Sequence, residues 1–365
     1  MINFANPRAQ FLSYQAEIEE AVLRVVRGPS YILGKECDFL EEEFANYIGT
    51  DSAVGVANGT DALEIALRSL DVGYGDEVVT VSHTAVATIA AIEASGASAV
   101  LLDVGDNSFN LDVELLEQID ISRVKAVIAV HLYGHPCDMV NLVDFCQSNN
   151  ISLIEDVSQG HGATYGGRKA GSIGDIGCFS CYPTKNLGAI GDAGLITANE
   201  ANGLVIKKIR EYGWENRESI LQGRNSRLDE IQAAILRIKL KHLDSDNEKR
   251  RIIARRYIAG LRELPIQLPK FSSVEDSVFH LFVIQVENRE ALLAHLSQCQ
   301  INCGIHYPTP VHLQPAYLNR IRVPLSMSNT EVLAQRIISL PIYPELSLLD
   351  VDVVISSIKN FYEFL

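Results

Sequence analysis

With 365 residues, 47% of them hydrophobic, the chain is long enough for a large domain with a substantial core and a smaller one beside it, and its ordinary composition excludes disordered and fibrous classes. A formal charge of −15 repels a phosphate backbone and no basic run offsets it, so nucleic acid is not an expected partner. No apolar run approaches the roughly 18 residues of a spanning helix and the N-terminus has no apolar leader core, which gives the expectation of a cytoplasmic protein without a membrane partner.

The seven cysteines are odd in number and scattered. Cys178 and Cys181 form a lone C-F-S-C with no second pair at metal spacing, so neither disulfides nor a metal site is expected. From the N-terminus, residues 14 to 27 place Ile18, Val22 and Val25 at helical spacing, and Gly28-Pro29 ends that helix. A loop through Tyr31 and Gly34 follows, then a second amphipathic helix with Phe39, Leu40 and Phe44 on one face. Ala53 to Ala57 read as a strand, and Asn58-Gly59-Thr60 opens a helix whose apolar positions are Leu63, Leu67 and Leu70. The free amides and positive dipole end of that helix suit a phosphate, with Gly59 permitting close approach and Thr60 adding a hydroxyl. An ordinary N-cap needs no more than this, and Asp61 opposes an anion unless its carboxylate points away.

Glu77 to Val81 form the next strand, which ends in Ser82-His83-Thr84 before a helix from Ala85 to Ser95. Strands at 98 to 103 and 124 to 131 continue the alternation of a mainly parallel sheet flanked by helices, an α/β fold. Ile151 to Ile154 read as a buried parallel strand, so Asp156 emerges at its carboxyl end, where open α/β sheets place their ligands. Gly177 to Cys181 read as a strand that Pro183 stops, which leaves Ser180, Tyr182 and Lys185 on a loop beyond a strand end. A buried lysine there titrates low. Lysine for a Schiff base, carboxylate for a ring nitrogen and hydroxyls for a phosphate fit pyridoxal 5'-phosphate (PLP), with its amine form PMP.

Gly194 to Ala198 give a further strand, Gly203 onward turns helical, and an apolar stripe from Leu228 to Leu243 starts a helix near Ser226. The charged segment after Leu243 reads as a solvated helix leaving a large domain, 1–243, for a small α/β domain, 244–365, against which the N-terminal helix can pack. That domain opens with the strand-like VFHLFVIQV, carries His306, Tyr307 and His312 around prolines that keep the backbone extended, and ends in helices near 329 to 339 and 349 to 363.

The runs EDVSQGHGA and GD.G.FS.YP.KNLG..GDAG resemble nucleotide-sugar aminotransferases of the DegT/DnrJ/StrS type, within fold-type I PLP enzymes. The resemblance implies that Lys185 carries the cofactor, Asp156 pairs with its ring nitrogen, Gln159 contacts the ring hydroxyl and Ser180 binds the phosphate. It further implies that a ring at position 83 stacks on the cofactor, here His83. NSRLDE resembles the family loop that crosses a dimer interface, which implies that Asn225 reaches the phosphate of a neighbouring subunit in a homodimer with shared sites. On the same resemblance Tyr31 and Gly34 are expected to border the sugar site, and Tyr182, His306, Tyr307 and His312 to face the sugar nucleotide. Plain packing or capping is the competing reading for His83, Tyr31, Gly34 and Asn225. Cys303 departs from the resemblance, standing where relatives usually have a hydroxyl residue, which removes one expected polar contact. NGTDAL, HLYG, FHLFVI and IHYP.P.HLQPAY are most similar to enzymes that move an amino group, L-glutamate being the implied donor, to C3 of a dTDP-3-oxo-6-deoxyhexose. The alternatives are a UDP-linked 3-oxo-sugar aminotransferase and, less favoured, a sugar dehydratase, whose relatives have histidine at the lysine position. Outside PLP chemistry, Gly162 to Lys169 only mimics a phosphate-binding loop, because Arg168 occupies the required lysine position.

Overall fold

The computed structural model describes residues 1–106, 108–270 and 273–363. The first elements are helical. Asn6 caps α1 (Pro7–Ser13), its Oδ1 accepting from the Ala9 N–H at 3.1 Å, and Pro7 occupies the first turn, where a missing N–H costs nothing. α2 (Gln15–Val26) buries Ile18, Ala21 and Val25, and α3 (Lys35–Ile48) ends on Gly49 at a φ of 85°, the left-handed cap that glycine adopts without strain.

Next come β1 (Ser52–Val56), α4 (Gly59–Ser69), β2 (Glu77–Val81), α5 (Val86–Ser95), β3 (Ser98–Leu102), β4 (Val124–Val130), α6 (Met139–Asn149) and β5 (Ser152–Asp156). A small hairpin of β6 (Thr164–Tyr165) and β7 (Arg168–Lys169) precedes β8 (Ile176–Ser180), β9 (Gly194–Ala198) and α7 (Glu200–Ile209). A second hairpin, β10 (Trp214–Glu215) and β11 (Glu218–Ser219), leads to α8 (Glu230–Leu261). The chain ends with β12 (Phe282–Gln285), α9 (Arg289–Gln298), α10 (Ser328–Arg336), β13 (Ile337–Leu340) and α11 (Leu348–Glu363).

The main sheet has seven strands in the order β1-β9-β8-β5-β4-β2-β3, and β9 alone runs against its neighbours. Val78, Val79, Val81 and residues 126–129 are all buried, the near-continuous apolar runs required where helices cover both faces. The six co-directional strands deliver their carboxyl ends to one edge. There Asp156 lies in register with Val130 of β4 and Cys178 of β8, while Ser180 faces Gly194 of β9.

The sequence pattern suggests two helices here, the second solvated, yet α8 is one helix of 32 residues. Ala233, Leu236, Leu240 and Leu243 pack into the core beneath β8 and β9, and Ile253, Ala254, Tyr257 and Leu261 enter a separate cluster with Phe282, Ile284, Leu292 and Val354. The boundary expected near 243 falls inside this helix. Its central polar residues are buried because they have partners: Asn247 Nδ2 donates to the His161 carbonyl at 2.9 Å, and Arg250 Nη1 donates to the carbonyls of Phe279, His280 and Ile342 at 3.3, 3.3 and 3.1 Å. The helix expected to run to 339 stops at Arg336, because residues 337–340 pair antiparallel with β12. The N-terminus does reach this second unit: Ile2 bridges Ile301, and Phe4 stacks on His306 at 5.2 Å.

Candidate active site

A cavity of about 590 Å³ opens at the carboxyl edge of the sheet. Its lining joins the ends of β1, β2, β4, β5 and β8: Asn58, Gly59 and Thr60; Thr84, Ala85 and Thr88; Val130 and Leu132; Asp156, Ser158 and Gln159; Ser180, Tyr182 and Lys185. Asn58 caps α4, its Oδ1 accepting from the Asp61 N–H at 2.8 Å. A Cβ on Gly59 would stand 2.5 Å from Ser180 Cβ, so only glycine lets the N-terminus of α4 approach β8 this closely. The Asp61 carboxylate, which could oppose an anion here, is engaged by Arg224 Nη2 at 3.0 Å.

Asp156 is 5% exposed and oriented on both sides: Oδ1 accepts from the Ser158 N–H and Oδ2 from Thr88 Oγ1, each at 3.1 Å. Thr88 is itself hydrogen-bonded to Thr84 at 3.1 Å. Gln159 is fixed as firmly, with Oε1 accepting from the Tyr133 N–H at 2.8 Å and Nε2 donating to the Tyr307 hydroxyl at 3.2 Å. Below them Glu155 is fully buried. Its Oε1 accepts from the N–H groups of Ile173 and Gly174 at 2.7 Å each, and its Oε2 from the Gly171 N–H at 2.9 Å and His131 Nε2 at 3.0 Å.

Lys185 follows a tight turn in which its own N–H donates to the Tyr182 carbonyl at 2.8 Å. The residue after it is locked: Asn186 Nδ2 donates to Asn247 Oδ1 at 2.8 Å and to the Val278 carbonyl at 3.0 Å. Gly188 accepts from the buried Lys239 Nζ at 2.7 Å. Lys185 is partly exposed, onto the cavity, and among the described residues no acceptor holds its Nζ. Desolvation pushes its pKa down to about 8 against the opposing pull of Asp156, which leaves a reactive neutral amine within reach of neutral pH.

Several expected residues lie off this wall. His83 follows β2 as expected but is 1% exposed and turned into the core, where Nε2 meets the Tyr133 hydroxyl at 2.7 Å; Ala85 lines the cavity instead. This corrects the expected ring stacking. Tyr31 is 58% exposed and its hydroxyl donates to the Val26 carbonyl at 3.3 Å, while the Gly34 N–H donates to Glu230 Oε1 at 2.9 Å as α3 begins. Both serve local structure. His312 is spent on anchoring, its N–H donating to Ser82 Oγ at 3.2 Å and its Nε2 meeting Glu331 at 3.2 Å. His306 Nδ1 contacts Ser339 Oγ at 2.9 Å, and burial followed by the Lys185 charge holds its ring down at about 4. Tyr307 reaches the site through Gln159. Asn225 is exposed, on a bridge to Glu211. Thr84, Thr88 and Ser158 carry no distinctive spacing in the sequence, and Tyr133, a candidate lining residue at the end of its strand, stands behind Gln159 and not on the cavity wall.

Residues 13–359 match the DegT/DnrJ/EryC1/StrS aminotransferase family. The chain belongs to that family. A transaminase for dTDP-3-amino-3,6-dideoxy-alpha-D-galactopyranose from Aneurinibacillus thermoaerophilus is 43% identical over 363 residues, 99% of each chain. The dTDP-3-amino-3,4,6-trideoxy-alpha-D-glucose transaminase of Streptomyces venezuelae is 40% identical over 365 residues, 99% of this chain and 96% of that one. A UDP-N-acetyl-3-dehydro-alpha-D-glucosamine 3-aminotransferase of Acidithiobacillus ferrooxidans is 40% identical over 341 residues, 93% and 92% of the two chains. The crystal structure of S. venezuelae DesV superposes with a TM-score of 0.96 at 40% identity, covering 99% of this chain and 98% of that one. Bacillus subtilis NtdA, solved with PMP bound, gives 0.89 at 29% identity over 96% and 82%.

As a member of the DegT/DnrJ/EryC1/StrS family the chain is a PLP-dependent aminotransferase, and its cavity fits the cofactor. The donor set is right: an unpaired amine on Lys185, a doubly oriented carboxylate on Asp156, and a helix N-terminus opened by Gly59 beside the Ser180 hydroxyl. Among the described residues no cluster of histidines, cysteines or carboxylates could hold a metal, the cysteines are all unpaired, and no helix is long and apolar enough to cross a membrane.

Proposed function

We propose that this aminotransferase moves the amino group of L-glutamate to C3 of a dTDP-3-oxo-6-deoxyhexose. One observation carries the chemistry: the depressed amine of Lys185 and the anchored carboxylate of Asp156 share one cavity. Two relatives at 43% and 40% identity over nearly the whole chain, named for dTDP-3-amino sugars, support the substrate.

PLP, when bound, supplies an aldehyde for amine exchange and a ring that takes up the electrons of a carbanion. The protein does the rest. In this reading Lys185 Nζ holds the cofactor and, once displaced, moves the proton at the substrate α-carbon. Asp156, with Thr88 and Ser158 holding its oxygens, keeps a protonated ring nitrogen charged. Gly59, Thr60 and Ser180 take the phosphate, with Asn225 of a neighbouring copy in a homodimer, and Gln159 lies beside the ring. Tyr182, 52% exposed at the cavity mouth, and the 306–307 segment face the sugar nucleotide. Seven unpaired cysteines support a reducing compartment, the cytoplasm.

The test supplies the purified enzyme with L-glutamate and either dTDP- or UDP-linked 3-oxo sugars. Faster amination of the dTDP sugar is expected. Preference for the UDP sugar would transfer the assignment to the class of the A. ferrooxidans relative. Amination of neither, by an enzyme that exchanges amino groups with glutamate, would overturn the sugar assignment.

A further inference from the structure

Tyr133 is buried completely, is not part of the cavity wall, and holds a φ of 60° and ψ of 7°, a left-handed conformation that a tyrosine rarely adopts. The conformation is used at both ends of the residue. Its N–H donates to Gln159 Oε1 at 2.8 Å, and its hydroxyl donates to the His306 carbonyl. The hydroxyl has one proton, so the His83 Nε2 contact at 2.7 Å must be a donation from the imidazole. His83 is thereby the neutral Nε2–H tautomer, in keeping with burial pushing its pKa down to about 4. Its Nδ1 is buried with no partner among the described residues, so aiming Tyr133 is the one side-chain hydrogen bond this histidine makes.

These bonds close a circuit. Gln159 and Ser158, at the end of β5, line the cavity; Gln159 Nε2 donates to the Tyr307 hydroxyl at 3.2 Å, and the neighbouring His306 carbonyl is held by Tyr133. Two bonds therefore pin the 306–307 segment to the cofactor side, and both pass through Gln159 or Tyr133. We propose that Tyr133, aimed by His83, is a positioning residue that sets the 306–307 segment against Gln159 and so tunes the grip on the sugar nucleotide without touching it. The inference rests on the reading of that segment as substrate-facing.

The test uses Tyr133→Phe, which keeps the ring and deletes only the hydroxyl, with His83→Leu and His83→Gln. Three quantities are read: cofactor absorbance, the single-turnover half-reaction with glutamate, and KM and kcat for the sugar nucleotide. In Tyr133→Phe, absorbance and the glutamate half-reaction stay within about twofold of wild type while KM for the sugar nucleotide rises about tenfold and kcat changes less than about threefold. His83→Leu reproduces this, and His83→Gln, whose amide can donate near the position of Nε2, brings KM back to within about threefold of wild type. An unchanged KM, a parallel loss of both half-reactions, variants that fail to fold, or His83→Gln as poor as His83→Leu would each overturn the proposal. Failure of the underlying reading shows separately, as a wild-type enzyme that exchanges amino groups with glutamate and aminates no sugar nucleotide.

Discussion

In its proposed role Lys185 has conflicting requirements, since an amine must be neutral to attack an aldehyde while an ordinary lysine is charged at neutral pH. Burial resolves them by lowering its pKa to about 8. The neutral form predominates above that value, so the rate at which apo-enzyme attaches the cofactor should rise with pH through a midpoint near 8 and then level off. Stopped-flow absorbance measures it, and a rate still climbing beyond pH 10 would mean an unperturbed lysine. Lys185→Ala should bind cofactor without the covalent link and lose turnover by about 10⁴-fold or more, measurable by absorbance and by trapping with borohydride. At Gly59 the constraint is steric: Gly59→Ala pushes a methyl within 2.5 Å of Ser180 Cβ, which should cost about 1–3 kcal/mol and weaken cofactor retention in equilibrium dialysis. These residues were legible because a strand end fixes where the next side chains emerge. His83 shows the limit of that logic. The sequence puts it at the right strand end, but the direction of a side chain beyond the last ladder bond depends on what it meets, and here it meets Tyr133.

Elements are positioned by polar residues that hydropathy patterns cannot rank. The loop between β7 and β8 has little apolar content, and its shape comes from the N–H groups of Gly171, Ile173 and Gly174 converging on Glu155, which His131 also contacts. This carboxylate, one residue before Asp156, orders the entry to β8 and hence the ledge that carries Ser180. Glu155→Gln has one acceptor oxygen for these donors, and its amide nitrogen repels the rest. The expected loss is about 1–3 kcal/mol for each buried donor left unpaired, seen as a lower urea midpoint at unchanged slope. A variant as stable as wild type would show that the loop holds itself. α8 shows the same limit: the polar residues after Leu243 look solvated in the sequence, yet Asn247 and Arg250 donate to carbonyls of the neighbouring segments. The residues of β13 follow α10 without a break, and only pairing with β12 decides between helix and strand.

At the scale of the whole molecule, one helix joins two of the hydrophobic clusters. α8 packs against the sheet with its first half and against β12 and β13 through its second, so the 306–307 segment and the cavity are referenced to a common rigid rod. Asn225 is exposed and stands outside the cavity, on its bridge to Glu211. If Asn225 serves a neighbouring copy, each site needs Lys185 from one subunit and Asn225 from the other. Complementation then follows from symmetry. Lys185→Ala alone is inactive, and Asn225→Asp, which brings a negative charge to a phosphate, is strongly impaired. Mixed and allowed to exchange, they form hybrids in which one site has its own Lys185 and the partner's intact Asn225, while the other site lacks both. Random pairing of equal amounts makes half the dimers hybrid with one sound site in two, so activity should return to about a quarter of wild type. Size-exclusion chromatography establishes the dimer and a glutamate-dependent assay reads the recovery. If Asn225 worked within its own chain, every hybrid site would be missing one residue and mixing would restore nothing.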